Sequence, residues 1–232
     1  MQSLHRHKII ATLVVLFTTI AAIAQPKQEQ YDNQWLHFGF SLSMNSASFR
    51  VDARPAAIAT DSLLNVNMKS YPGIGLGGIT NLRLGKFFDV RLMFPVISFV
   101  QRDLVYKFPT QTKTVKIESA YCDASLLIKY KSARRKNVRA YIIAGPRFSY
   151  DLASSIGRAR SMVNPVVSLN KITWGYDAGF GLDIYFQYFK LSPELKVCNT
   201  WSNALHNDPG FIYTEVIEKL SPKMVVFSLH FE

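Results

Sequence analysis

This chain of 232 residues lacks several features that define common protein classes. It has only two cysteines, Cys122 and Cys198, which fall far apart on different predicted strands. Two such residues cannot build a disulfide framework, and no Cys/His spacing indicates a metal site, so we interpret both as free thiols. After residue 24 no stretch of 18 apolar residues occurs, and the sequence therefore predicts no transmembrane helix beyond that point.

Acidic side chains are also scarce, with 16 Asp and Glu against 27 Lys and Arg and a formal net charge of +11. A basic surplus of this size suits anionic lipid, lipopolysaccharide phosphates or acidic protein partners. No motif calls for a cofactor. Nucleic acid is not expected as a partner, because the protein is predicted to be exported.

The first 24 residues have the pattern of a cleavable export signal. A basic start precedes a run of apolar residues and threonines from Ile9 to Ala24, which ends in a small-x-small motif before Gln25. The run of 16 residues falls short of the ~20 that cross a bilayer as a helix, so we expect removal rather than a retained anchor. Residues 25–34 are then predicted to be a periplasmic linker, and residues 35–232 to be one domain.

Beyond residue 34 the hydrophobic pattern has a period of two. In the first segment Leu36, Phe38 and Phe40 alternate with His37 and Gly39, which is typical of a strand with one face in hydrocarbon and the other towards an interior. The same alternation recurs in seven further segments, at about residues 72–84, 89–106, 118–130, 138–151, 171–185, 189–200 and 222–232.

The connections between these segments alternate in length. Short ones follow the even-numbered segments (85–88, 131–137, 186–188), and longer ones follow the odd-numbered segments (45–71, 107–117, 152–170, 201–221). This alternation predicts an all-β fold, an eight-stranded antiparallel transmembrane β-barrel of a Gram-negative outer membrane. Its short turns and both termini would lie in the periplasm, and its longer loops outside the cell.

Aromatic residues cluster near the predicted segment ends, where rings form the interfacial girdles of a membrane protein. Thirteen of them carry this argument: Trp35, Tyr71, Phe87, Phe88, Tyr106, Phe108, Tyr130, Tyr141, Tyr185, Phe186, Phe189, Trp201 and Phe231.

Eight strands close a barrel whose lumen is about filled by side chains, so we do not expect solute conduction. Charges in such a lumen must pair, because an unpaired buried charge is costly. We interpret the set as a salt-bridged plug, with a proton relay or a ligand site as the alternative. The alternation predicts Gln101 on the interior face, together with ten charges: Arg83, Arg91, Asp123, Lys129, Arg139, Arg147, Asp177, Asp183, Glu194 and Lys196.

Two groups of residues match patterns that are associated with cofactor binding or with catalysis. Residues 73–78 match a glycine-rich dinucleotide fingerprint, but period-two alternation follows them instead of a helix, so we expect lumen-facing glycines that make room for long side chains. Ser202, His206 and Asp208 lie together in the last predicted outer loop, with His37 and His230 elsewhere. Nothing positions a nucleophile or an oxyanion donor there, so no catalytic residue is predicted.

Three consecutive cations, Arg134, Arg135 and Lys136, occupy a predicted periplasmic turn. The run is either a solvated charge cluster or a docking point for an acidic periplasmic partner or a lipid phosphate.

Several motifs, in this order and spacing, resemble the PorT family of Bacteroidetes outer-membrane proteins, and the likeness spans nearly the whole chain after the export signal. The residues that carry it are His37 to Phe40, Ser70-Tyr71-Pro72-Gly73, Asn81 to Arg91, Gln101 to Tyr106, Ile128 to Ser132, Asn137 to Tyr141 and Ser192-Pro193-Glu194. The resemblance implies a non-enzymatic component of the type IX secretion system, which exports proteins across the outer membrane and in some relatives supports gliding. Other secretion-system subunits would then be partners. A small outer-membrane hydrolase of lipid or lipopolysaccharide and a passive envelope or adhesion barrel are the alternatives.

Overall fold

The computed structural model describes residues 34–53, 65–107, 112–153, 169–205 and 217–232. The predicted export signal and most of the predicted linker lie outside these residues. The strands are β1 Leu36–Ala53, β2 Asn65–Ser70, β3 Pro72–Arg83, β4 Phe88–Lys107, β5 Thr112–Lys131, β6 Val138–Asp151, β7 Ile172–Tyr185, β8 Lys190–Thr200 and β9 Ile217–Phe231. Among the described residues no helix is long and apolar enough to cross a membrane.

The sheet closes on itself, because β9 pairs antiparallel with β1, and β4 pairs with both β3 and β5. Strands β2 and β3 share one place in the ring. Both pair with β4, and they are separated only by Tyr71, whose N–H donates to the carbonyl of Gln101 at 3.3 Å. The nine segments therefore form a closed eight-stranded antiparallel barrel, which confirms the predicted fold class.

Tight turns join the strands at one end of the barrel, at residues 84–87, 132–137 and 186–189. We call this end, where β1 starts and β9 finishes, the turn end, and the opposite end the loop end. The alternation of short and long connections predicted the turns correctly. It overestimated the loops, because β4 and β5 extend until only residues 108–111 separate them.

Several strands run further towards the loop end than their hydrophobic pattern suggested. β1 continues to Ala53 and β9 begins at Ile217, both inside segments predicted to be loops. A transmembrane strand needs only ~9–11 residues, whereas β4 and β5 each have 20. Beyond the bilayer the outer face of a strand need not be apolar. The alternation there reverses its sense, because the outward residues are polar while apolar ones such as Phe49 and Leu220 face the interior.

The interior phase of β4 changes at Pro95. The register with β5 shifts between Met93 and Val96, because a proline cannot donate to the ladder and is accommodated at a bulge. Before the shift odd-numbered residues face inwards, and after it even-numbered ones do. The prediction that Gln101 faces the interior is therefore wrong, and Arg102 takes that place with no exposed surface.

Large apolar side chains cover the outer wall. Phe40 stacks on Phe231 across the β1–β9 seam with ring centroids 4.9 Å apart, and Phe148 packs edge-on against Trp174 at 4.8 Å. Two of the aromatic residues predicted for the interfacial girdle, Tyr141 and Tyr185, instead face the lumen and are each 3% exposed.

Candidate functional site

The turn-end half of the lumen is organised around Arg91, whose side chain is fully buried. Its Nη1 lies 2.7 Å from Oε2 of Glu194, its Nη2 lies 3.2 Å from Oε1 of Glu232, and its Nε donates to Oδ1 of Asn81 at 2.9 Å. The guanidinium carbon also lies 5.3 Å from the centre of the Tyr141 ring. One cation thus meets two carboxylates and an amide, which offsets the cost of removing its charge from water.

Lys129 and Asp183 form a second buried ion pair beside this one. The ammonium of Lys129 donates to both carboxylate oxygens at 2.8 Å, and the Ser192 hydroxyl donates to the same carboxylate at 2.6 Å. The ammonium also lies 3.7 Å from the centre of the Tyr141 ring, whose face attracts a cation. The carboxylate and the ring face thus hold the ammonium of Lys129 from two sides, and the Ser192 hydroxyl gives the carboxylate a further partner.

Glu194 links three strands through its carboxylate. Besides Arg91, it accepts a hydrogen bond from the Tyr141 hydroxyl at 2.9 Å, and its Oε1 lies 3.2 Å from Nε2 of His230. His230 is completely buried. The alternation of the last predicted segment opposes this histidine to the apolar residues, and the structure places it in the lumen network.

The middle of the lumen holds a second network around Asp177. Its Oδ1 lies 3.2 Å from Nε of Arg147, and its Oδ2 lies 3.2 Å from Nζ of Lys196 and accepts from the Ser125 hydroxyl at 3.0 Å. Arg147 also approaches Asp123 at 3.8 Å. An internal cavity of about 20 Å³ adjoins this cluster, which is room for about one water molecule but not for a solute path.

Apolar side chains close the lumen above these networks. The guanidinium carbon of Arg102 lies 4.0 Å from the centre of the Phe49 ring, and its Nη2 donates to the hydroxyls of Ser119 and Tyr121 at 3.0 and 2.8 Å. Beyond it a buried cluster fills the loop end: Phe49, Leu104, Val115, Ile117, Leu169, Ala204, Leu205 and Leu220. Charged, polar and apolar layers therefore follow one another along the barrel axis without an open channel among the described residues.

Eight of the ten charges predicted for the lumen lie buried inside it. Arg83 and Arg139 are only part-buried, because they lie at the turn-end rim. Nε of Arg83 donates to the carbonyl of Gly85 at 3.2 Å, and the guanidinium carbon of Arg139 lies 5.9 Å from the centre of the Tyr185 ring. The predicted interior face is thus correct for the central residues of the strands, whereas Arg83 and Arg139 lie at the rim of the lumen instead of inside it.

The set of ten charges predicted for the lumen also leaves out several members of these networks. Asp89 pairs with Lys131 at 2.6 Å, and Lys190 pairs with Glu232. The alternation could have identified these four residues, because each lies an even number of positions from an inward residue of its own strand. Asp89 is two residues before Arg91, and Lys131 is two residues after Lys129. Lys190 and Glu232 have the same relation to Ser192 and His230. No such signal existed for Arg102, because the bulge reverses the parity of β4 before it.

The predicted docking turn folds back on itself in part. Nε of Arg134 donates to the carbonyl of Lys136 at 2.8 Å, and its guanidinium carbon lies 4.0 Å from the centre of the Tyr185 ring. Arg135 and Lys136 are exposed, and Lys136 has a φ of 54°, a left-handed conformation that a lysine seldom adopts. Two of the three cations therefore point to solvent, and one stabilises the turn.

The glycine-rich motif lies within β3 and is followed by more strand. Gly75 and Gly77 are buried, and a Cβ atom at these positions would lie 2.5 Å from Oγ of Ser43 and 2.7 Å from Cγ2 of Val96. The glycines thus give room to side chains of the neighbouring strands rather than to long side chains from the opposite wall.

The possible loop triad is only partly described, since His206 and Asp208 lie outside the described residues. The Ser202 hydroxyl accepts a hydrogen bond from the backbone N–H of Trp174 at 3.1 Å, so it has a structural contact of its own. Both cysteines are free thiols, with Cys198 buried in the lumen and Cys122 half-buried. Within the part of the chain that the structure describes, no group of three or more His, Cys, Asp or Glu could hold a metal ion.

Comparison with known proteins gives the family. Two crystal structures from Pseudomonas aeruginosa are similar: the outer membrane protein OprG (12% identity, TM-score 0.48, covering 84% of this chain and 92% of that one) and the N-terminal β-barrel domain of OprF (14%, 0.32, 81% and 96%). No curated protein sequence matches. Residues 23–200, well over half of the chain, match the family described as "Outer membrane protein beta-barrel domain". The chain therefore belongs to this family and is an outer membrane β-barrel protein.

Proposed function

We propose that this barrel is a non-enzymatic component of a protein-secretion machinery of the type IX kind, acting in its assembly or as an accessory subunit. The filled lumen carries the proposal. A barrel blocked by ion pairs and an apolar layer cannot itself pass a protein, so its contribution must come from its wall, its turns and its loops. The resemblance of several motifs, in their order along the chain, to the PorT family is the reason for proposing a type IX system.

The proposed orientation puts the turn end in the periplasm and the loop end outside the cell. Bacterial barrels have short periplasmic turns and longer outer connections, and three of the four loop-end connections between the described strands are longer than every turn. In that orientation Arg135 and Lys136 face the periplasm, where an acidic segment of another secretion subunit is the proposed partner. Arg134 then supports the turn from behind rather than making the contact.

The same closed lumen also favours a second candidate, a passive envelope or adhesion barrel, because such a protein needs no channel either. A hydrolase of lipid or lipopolysaccharide is less well supported, since the Ser202 hydroxyl is engaged by the backbone of Trp174.

Deletion of the gene and analysis of the periplasm and culture fluid test the proposal. We expect secreted cargo to be lost from the medium and trapped in the periplasm. A change in lipid A acylation alone would instead indicate a hydrolase, and a change in envelope integrity or attachment alone a passive barrel.

Complementation of the deletion strain tests the docking turn. We expect the R135S/K136S variant to insert normally but to restore secretion poorly. A matched control, K69Q/K116Q, removes two exposed cations at the loop end and should restore secretion fully. Full secretion by R135S/K136S would contradict the docking role.

A further inference from the structure

A second internal cavity, of about 10 Å³, lies in the lumen between the Asp177 network and the apolar cluster of the loop end. We call it the upper cavity, and the cavity beside Asp177 the lower cavity. The upper cavity has room for about one water molecule or one monatomic ion, but not for a larger solute. Six polar side chains line it: Arg102, Tyr121, Arg147, Ser149, Thr173 and Thr200. The rest of its lining is Ala47, Pro222 and Met224, together with Lys223, which is exposed on the outer wall.

The two cavities differ in the charge of their walls. The lower cavity is lined by the carboxylates of Asp123 and Asp177 as well as by cations. Among the described residues no carboxylate lines the upper cavity, whose charged groups in the lumen are the guanidinium groups of Arg102 and Arg147. The lower cavity therefore suits a water molecule, whereas the upper cavity offers mainly hydrogen-bond donors.

The two guanidinium groups also fix the direction of two hydroxyl groups. Nη2 of Arg102 donates to the Tyr121 hydroxyl at 2.8 Å, and Nη2 of Arg147 donates to the Thr200 hydroxyl at 3.3 Å. A hydroxyl that accepts from a cation keeps its own hydrogen for another acceptor. Neither hydrogen has an acceptor within the described strands, so both are available to a ligand in the upper cavity.

Arg102 lacks the direct counter-charge that other buried cations of the lumen have. Lys196 lies 3.2 Å from Asp177, whereas Arg102 contacts two hydroxyl groups and the ring of Phe49. Asp151 acts on Arg102 only across the Ser119 hydroxyl, which accepts from Arg102 and bonds to Asp151. Nε of Arg102 has no hydrogen-bond partner in the part of the chain that the structure describes. A buried cation without a direct counter-charge is costly, and a bound anion lowers that cost.

We infer that the upper cavity binds one monatomic anion, chloride, between Arg102 and Arg147, with the hydroxyls of Tyr121 and Thr200 as further donors. Guanidinium groups form charge-assisted hydrogen bonds to anions, which are stronger than neutral ones. Arg147 already has Asp123 and Asp177 as partners, so Arg102 is the main counter-charge of the ion. The size of the cavity excludes sulfate and phosphate. The ion is then a structural part of the folded lumen, whatever the role of the barrel in secretion.

Unfolding of the full mature barrel in urea, in lipid vesicles, tests this inference. Chloride replaces gluconate stepwise at constant ionic strength, so that only the identity of the anion changes. Once chloride exceeds its dissociation constant, we expect the unfolding equilibrium constant to fall about tenfold for each tenfold rise in chloride, as binding of one ion to the folded state requires. Bromide should act like chloride, and sulfate should act like gluconate.

A pair of double variants separates the site from a general salt effect. Y121F/T200V keeps both cations and nearly the same volume but loses the two hydroxyl donors. We expect it to need about tenfold more chloride, or more, for the same stabilisation, because hydrogen bonds to a charged ligand are lost. The control Y130F/T80V makes the same two changes on the outer face of the barrel, where Tyr130 is 47% exposed and Thr80 half-buried. It should respond to chloride like the unmodified protein.

Crystals of the unmodified protein grown with bromide as the sole halide give a direct view of the site. We expect an anomalous peak in the upper cavity. A cavity that holds only water, without an anomalous peak, would overturn the inference. A stability that is indifferent to chloride would do the same, as would an equal loss of chloride dependence in the two double variants. None of these results depends on the secretion experiment, so the two proposals fail separately.

Discussion

At the scale of single residues, the lumen shows how buried charges are made tolerable. Arg91, Lys129 and Lys196 are each surrounded by carboxylates, hydroxyls or a ring face rather than left singly in the interior. Removal of one partner from such a pair leaves an uncompensated buried charge, whereas removal of both can be nearly neutral. The cost of a substitution in this lumen therefore depends on what remains, not on what is deleted.

The Lys129–Asp183 pair offers the clearest double-mutant cycle. We expect K129M and D183L each to lower the free energy of unfolding by about 3 kcal/mol, and the combined variant to lose less than the sum of the two. Urea unfolding of the refolded barrel in lipid vesicles measures these values.

Lys116 and Glu118 supply the control, because both are exposed and lie on the outer face of β5. We expect K116M and E118L, singly or together, to change the unfolding free energy by less than about 0.5 kcal/mol. Additive losses for Lys129 and Asp183 would mean that the two side chains do not form a coupled pair.

At the scale of elements, β4 separates what alternation can reveal from what it cannot. Before Pro95 the apolar series has even numbers, and Phe94 and Val96 continue it without a visible break. After the bulge, Phe99 is 57% exposed and Ser98 is 4% exposed, which is the reverse of the extrapolated phase.

Single-cysteine labelling in a C122S/C198S background tests this phase change. We expect a fluorophore at F99C to be quenched by lipid-borne quenchers and one at S98C to be shielded, because only residue 99 faces the bilayer. An uninterrupted alternation would give the opposite pair of results.

The other strands explain why much of the fold was predictable. β6, β7 and β8 lack a register shift within the membrane, and their alternation gave both faces correctly, including Arg147, Asp177 and Glu194. The outer half of β1 was missed, because Ser46, Ser48 and Arg50 are polar on the same face that is apolar nearer the turn end. The inward Ala47 and Phe49 are apolar instead, so the period of two continues with its sense reversed, and a rule that expects an apolar outer face ends the strand too early.

At the scale of the whole molecule, closure and filling of the barrel follow from strand number. Eight strands enclose a space that side chains can occupy completely, and here the occupants form ion-pair networks below an apolar cluster. The function of such a barrel does not follow from its shape, because a closed lumen is compatible with a secretion subunit, a passive envelope or adhesion protein and an enzyme. Outward features such as the exposed Arg135 must carry that information instead.

Electrical recording of the purified full-length barrel in a planar bilayer tests the closed lumen most directly. We predict no stable open-channel current, because the described lumen offers ions no continuous aqueous path. Reproducible unitary currents from correctly folded protein would contradict a sealed barrel, and with it the conclusion that the protein works through its outer surfaces.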